Sequence, residues 1–188
     1  NGSSSLATGK TLSIGGSGFA SSSTLQLTNF TQLGGTSQSL TLTGTATLTL
    51  NSGCTFNGDV VFSAPNLNLN GSTYWGASSF TNSLGGGNNV SNGGNHFHGV
   101  TNINYYSTTF LYWSLSGSTK DIFYNDVTFS NYGDWQLNVA YNDASGSGTE
   151  FQGNVFVNSS STGQITFGNS NGKGTLFAGK TISVGGGS

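Results

Sequence analysis

The chain repeats itself on two scales, and this limits its possible folds more than any other feature. The opening stretch NGSSSLATGKTLSIGGSG returns from Asn171 as NGKGTLFAGKTISVGGGS, a period of 170 residues, with nine of the eighteen positions identical. Gly9-Lys10-Thr11 matches Gly179-Lys180-Thr181, and Leu12 and Ile14 return as Ile182 and Val184. Inside this period a phrase of the form aromatic-x-Gly-x-x-x-apolar recurs. It reads FNGDVVF from Phe56, YWGASSF from Tyr74, FHGVTNI from Phe97 and FQGNVFV from Phe151. FYNDVTF from Phe123 has Asn125 in the glycine slot, and LATGKTLSI from Leu6 and LFAGKTISV from Leu176 are looser copies. The slot falls at 9, 58, 76, 99, 125, 153 and 179, with one step of 49 and the others of 18 to 28 residues.

Most phrases are followed by a second alternating run, such as LNLNG from Leu67, FLYWSL from Phe110, WQLNVAY from Trp135 and QITFGN from Gln164. Strict alternation sends one side of a strand inward and the other to solvent. Units this short cannot bury their apolar sides alone and must stack on neighbours. The expected fold is all-β, a parallel β-helix of about seven coils of roughly 24 residues. The hand expected for parallel crossovers is right. Residues 1–170 form one full super-repeat and 171–188 begin the next copy. Phe56, Val60, Phe62, Phe97, Ile103, Phe123, Val127, Phe129, Phe151, Val155, Val157, Leu176 and Ile182 are the expected stacked core. The glycine slot reads as a tight corner needing a permissive backbone, which Asn125 also tolerates. The Asn-rich corners read as polar ladders along the axis. A β-sandwich with Asn-Gly hairpins is the competing fold, but it gives no reason for the regular period.

Composition supports folding without helices. Gly, Ser, Thr and Asn, poor helix formers all, fill 107 of the 188 positions. Aromatics reach 12%, against 5% charged residues, which is unlike a disordered chain. With four Lys, no Arg and a net charge of −2, no phosphate-binding surface is available and no nucleic-acid partner is expected. No apolar run approaches the roughly 18 residues of a membrane helix, so no membrane insertion is expected. No signal peptide or anchor is read in the chain, as expected of an internal piece. Cys54, the single cysteine, reads as a small buried residue.

The phrases TFNGDVVF, LTLTGTATLTL, SNGGNHFHG and LFAGKTISVGG resemble those of giant repetitive surface proteins of Bacteroidota. The resemblance covers essentially the whole chain and implies export by the type IX secretion system. It further implies an extracellular filament or adhesin on the bacterial cell surface, serving attachment, gliding or prey capture. It brings no catalytic residues.

Several constellations bear on chemistry. Asp121 and Asp126 stand one coil before Glu150, with Lys120 adjacent, the nearest approach to the paired carboxylates of a polysaccharide lyase or hydrolase. Six acids spread over seven coils meet by chance and read as solvated surface groups, so no enzyme and no catalytic residue is assigned. His96 and His98 would face one side of a strand, but no third ligand accompanies them, so neither metal nor cofactor is expected. Thr41, Thr43, Thr45, Thr47 and Thr49 form a Thr row of the kind ice-binding solenoids use, although the row does not recur coil after coil. Trp75, Trp113 and Trp135 with several Tyr suggest a glycan-binding module as an alternative.

The preferred partners are identical copies, end to end within the chain and side by side between chains. Alternation along FLYWSL sets Leu111, Trp113 and Leu115 against Phe110 and Tyr112. Phe110, Tyr112 and Tyr124 are thus the expected exposed stripe of a lateral interface, while Leu137, Val139, Trp135 and Tyr141 point inward.

Overall fold

A computed structural model describes residues 2–14, 19, 22–84, 88–106, 108–113, 119–141, 148–159, 162–168 and 173–186. Among the described residues there is no helix, and every pairing between strands is parallel. The chain winds through three walls in rotation, and apart from the first strand, which bonds to the third, strands bond to those three places away. The parallel β-helix expected from the repeats is the fold.

The first wall holds eight short strands: Ser4–Leu6, Phe30–Gln32, Thr55–Phe56, Thr73–Tyr74, His96–Phe97, Ile122–Phe123, Thr149–Phe151 and Gly174–Leu176. The second holds seven, from Gln38–Thr41 through Val60–Ala64, Ser78–Asn82, Thr101–Tyr105, Val127–Asn131 and Val155–Ser159 to Ile182–Gly186. The third wall is split into Thr24–Leu27, Thr47–Leu50 and Asn66–Leu69, then Asn88–Asn89, Leu111–Trp113, Leu137–Val139 and Ile165–Phe167.

Register turns the repeated phrase into a continuous core. Phe56, Tyr74, Phe97, Phe123 and Phe151 lie directly over one another in the first wall. Their rings stack nearly parallel, with centroids 5.5, 5.1, 4.6 and 5.5 Å apart. Phe62, Phe80 and Phe129 of the second wall meet this column edge-on at interplanar angles of 74–85° where they touch it. Parallel and T-shaped geometries are the two that the ring quadrupole favours. The third wall closes the prism with Leu48, Leu50, Leu67, Leu69, Leu111, Trp113, Leu137 and Val139, all buried. Every expected core residue is buried except Leu176, partly covered, and Ile182, 50% exposed in the last strand of its wall.

The glycine slot has a different cause from the one its sequence suggests. Gly9 and Gly179 do take positive φ, of 77° and 78°. Gly58, Gly76, Gly99, Gly153 and Asn125 do not. Instead, a Cβ on Gly99 would lie 2.3 Å from the carbonyl oxygen of Gly76, and one on Gly153 2.2 Å from the backbone of Asn125. The slot is small because consecutive coils touch backbone to backbone there. Asn125 stands at an exposed position of the same column, and its Oδ1 accepts from the Asp126 amide.

The Asn corners do form a ladder. Asn51 Nδ2 donates to Thr28 Oγ1 at 3.1 Å, Asn70 Nδ2 to Asn51 Oδ1 at 3.2 Å and Asn92 Nδ2 to Asn70 Oδ1 at 2.7 Å. The Thr row, by contrast, is broken by a corner. Thr41 ends a strand of the second wall, whereas Thr47 and Thr49 belong to the third, paired with Thr24, Gln26, Asn66 and Asn68.

These contacts separate two glycines of one chain. Gly99→Ala should cost roughly 1–3 kcal/mol, because coil spacing must open to admit the methyl. Gly35→Ala, where a Cβ meets nothing within 4 Å, should leave stability unchanged. Urea midpoints of the two variants check this, and equal midpoints would refute the backbone-contact explanation.

Candidate functional site

The residues expected to carry a lateral stripe are divided between two walls. Phe110 and Tyr112 flank Leu111 at the start of the third-wall strand Leu111–Trp113, with near-parallel rings 6.5 Å apart. Leu111 and Trp113 point inward, as alternation requires, and Leu115 lies outside the described residues. Tyr124 follows Ile122–Phe123 in the first wall and joins a different group, so the three do not make one stripe. Trp75, His98 and Tyr124 occupy successive rungs there, ring on ring at 3.9 and 4.3 Å and nearly coplanar in tilt. His96 Nδ1 lies 3.1 Å from the Tyr124 hydroxyl. Burial under these rings, reinforced by the charge of His96, lowers the pKa of His98. Among the described residues no third ligating group joins the two histidines.

Trp135 and Tyr141 are not inward. Alternation holds only over Leu137–Val139, since the chain bends at Gly133–Trp135 and Ala140 takes a positive φ of 53°. Trp135 is 47% exposed and meets the Phe110 ring edge-to-face at 4.8 Å. Tyr141 covers Tyr112 at 4.2 Å. Beside these rings lies a cleft of about 270 Å³ lined by Phe110, Asp134, Trp135, Gln136, Thr162 and Gln164. Three successive rungs build it, because Leu111, Leu137 and Ile165 are in register and Phe110, Gln136 and Gln164 immediately precede them. A reading by strict alternation misses this cleft; the Gly133-Asp134 pair before Trp135 is the sequence sign of the bend.

The carboxylates do not converge. Glu150 points outward, ion-paired with Lys120 and accepting from Gln152 Nε2 at 2.8 Å. The Lys120 hydrogen bond holds its pKa below the ordinary value. Asp126 sits at a corner, accepting the Asn154 amide at 2.7 Å. Asp121, which the sequence reads as solvated, is completely buried on the inner side of the first wall. It accepts from the Asn95 amide and from Asn95 Nδ2, both at 2.9 Å, and from the Ser91 hydroxyl.

A register change puts Ser91 there. Leu69 bridges to Ser91, yet the next rung is set by Asn88 on Leu111 and Asn89 on Tyr112, so neighbours Val90 and Ser91 are both buried. The same shift divides the third wall. Asn95 in turn accepts the Gly71 and Ser72 amides at 3.1 and 3.0 Å, which satisfies a corner the apolar core cannot.

No protein-family model, curated protein or solved structure matches the chain.

Burial raises the Asp121 pKa above its ordinary 3.8, opposed by the hydrogen bonds from Ser91 and Asn95 and by His96. A carboxyl whose folded pKa is raised favours the fold while protonated and costs stability as pH rises through the folded value. Asp121→Asn should therefore gain on the parent as pH climbs above 3.8. Urea unfolding of both proteins across that range measures the difference, and parallel stability curves would contradict it.

Proposed function

We propose that the chain is a structural unit of a long extracellular filament or adhesin on a bacterial surface, in which successive 170-residue units stack coil on coil. The observation that carries this reading is the equivalence of two coils one long period apart. Ser4–Leu6 and Gly174–Leu176 are both strands of the first wall, seven rungs apart in an eight-stranded sheet. Each is followed by the same turn: Lys10 donates to the Ala7 carbonyl and Lys180 to the Phe177 carbonyl, both at 3.1 Å. Gly9 and Gly179 share the same left-handed backbone.

Two further properties suit a filament. Ile182 and Val184 are paired in register on one side only and are 50% and 82% exposed, an apolar end that a following coil would cover. The surface carries little charge, so nothing repels one unit from the next. The resemblance to giant Bacteroidota surface proteins supports the cellular setting, with export by type IX secretion and roles in attachment, gliding or prey capture. Side-by-side contact between copies has weaker support, since Tyr124 lies on a different wall from Phe110 and Tyr112.

A chain of two consecutive units should form one straight rod. Each unit should add about 34 Å of length, seven rungs at the parallel strand spacing. Small-angle scattering of one-unit and two-unit chains gives the increment directly. Two bodies joined by a flexible link would overturn the proposal.

A further inference from the structure

Among the described residues, the exposed aromatics that touch one another fall into three clusters, and only that of Phe110 and Trp135 lines a cleft. Trp75, His98 and Tyr124 cover one another face to face, as Tyr106 and Tyr132 do at 4.6 Å. In these stacks each ring has at least one face covered by its neighbour, and among the described residues no concave polar lining stands beside them. Phe110 and Trp135 instead meet at 72°, so neither masks the faces of both rings, and they remain 41% and 47% exposed.

The polar lining of their cleft has unused hydrogen-bonding capacity. The Asp134 carboxylate and the Thr162 hydroxyl have no protein partner among the described residues. Gln136 uses Nε2 on Thr166 Oγ1 at 2.6 Å and leaves its carbonyl oxygen available. Gln164 is exposed, and its backbone carbonyl alone is engaged, by the Leu137 amide and Asn131 Nδ2. A carboxylate, two amides and a hydroxyl thus surround two half-open aromatic rings in one concave site. Apolar ring faces with a few convergent polar groups are what a sugar ring requires: its C–H face packs on the aromatic while its hydroxyls bridge donors and acceptors.

We propose that this cleft is a subsite for one ring of a neutral polysaccharide. No Lys lines it and the chain has no Arg, so an acidic sugar would meet Asp134 without compensation. A second copy of the chain fits less well, because covering the cleft would bury the Asp134 carboxylate and the Gln164 side-chain amide without partners. The lining residues rise through three rungs spaced about 4.8 Å, so a linear glycan would run along the solenoid axis. In an array of such units the contact would be repeated along the axis, and a weak single contact would gain avidity. This inference rests on the cleft alone and holds whether or not units stack end to end.

Affinity electrophoresis of the 188-residue chain in gels carrying soluble β-glucan, galactan, mannan, xylan or alginate tests it. The chain should be retarded by at least one neutral polymer and not by alginate. Trp135→Ala should weaken that retardation by about tenfold or more, as loss of a stacking anchor does. Gln164→Ala, at an exposed position where folding is not at stake, should weaken it by a smaller factor, and Trp75→Ala should leave it unchanged. Absence of retardation in every neutral gel would overturn the proposal. So would full retardation of a folded Trp135→Ala variant, or a change in that variant's self-association without any change in glycan retention.

Discussion

Parallel pairing of each strand with the equivalent strand one coil away is the interaction on which the rest of this molecule depends. It sets a single axial spacing, about 4.8 Å, for backbone and side chains alike. Flat rings stack well at about that distance, hence the run of Phe56, Tyr74, Phe97, Phe123 and Phe151. Primary amides also bridge it, hence the ladder through Asn51, Asn70 and Asn92. At four of the turns a Cβ would meet the backbone of the preceding coil, which explains Gly58, Gly76, Gly99 and Gly153. A composition so poor in charge and so rich in Gly and Asn follows from the geometry.

The same geometry makes the polar interior intelligible. A triangular coil must turn three times, and each corner exposes backbone groups to the core side. Ser91, Asn95 and Asp121 satisfy one such corner with a network of hydrogen bonds. The network coincides with the one-residue register change that splits the third wall, where Val90 and Ser91 are both buried. Coils before and after the break differ in the third wall alone; the first and second walls run through it in unbroken register.

Much of this was legible in the sequence because solenoid coils are local, repeated and alternating. The recurring aromatic-x-Gly phrase marks the first wall and most of its core, Phe56, Phe97, Phe123 and Phe151, but not Tyr74, which the expected core omits and which is fully buried. What it could not give was the reason for glycine, since axial crowding and left-handed backbone select the same residue. Alternation likewise misplaced Trp135 and Tyr141, because a pattern with period two is valid only inside a strand and the strand there spans Leu137–Val139. Asp121 was misjudged for a related reason: a lone acid next to Ile122 looks like a surface residue until Ser91 and Asn95 are brought to it from the preceding coil. Walls, too, are invisible in one dimension. Tyr112 and Tyr124 are twelve residues apart in the chain but face different directions.

The surface separates two kinds of aromatic. Rings stacked in register, such as Trp75 on His98, continue the axial logic of the core on the outside. Phe110 and Trp135 break that logic, at the point where the chain bends out of its strand and opens a cleft.

In-register axial pairing can be measured by cross-linking. Ser79 and Asn102 are parallel partners on the outer face of the second wall, one coil apart. Neighbouring parallel strands bring such Cα atoms to about 4.8 Å, within the reach of a disulfide. With Cys54 replaced by Ala, the pair Ser79→Cys and Asn102→Cys should oxidise readily and intramolecularly. The pair Ser79→Cys and Asn104→Cys, two residues out of register, should not. Equal oxidation of both pairs, or cross-links only between molecules, would contradict the account.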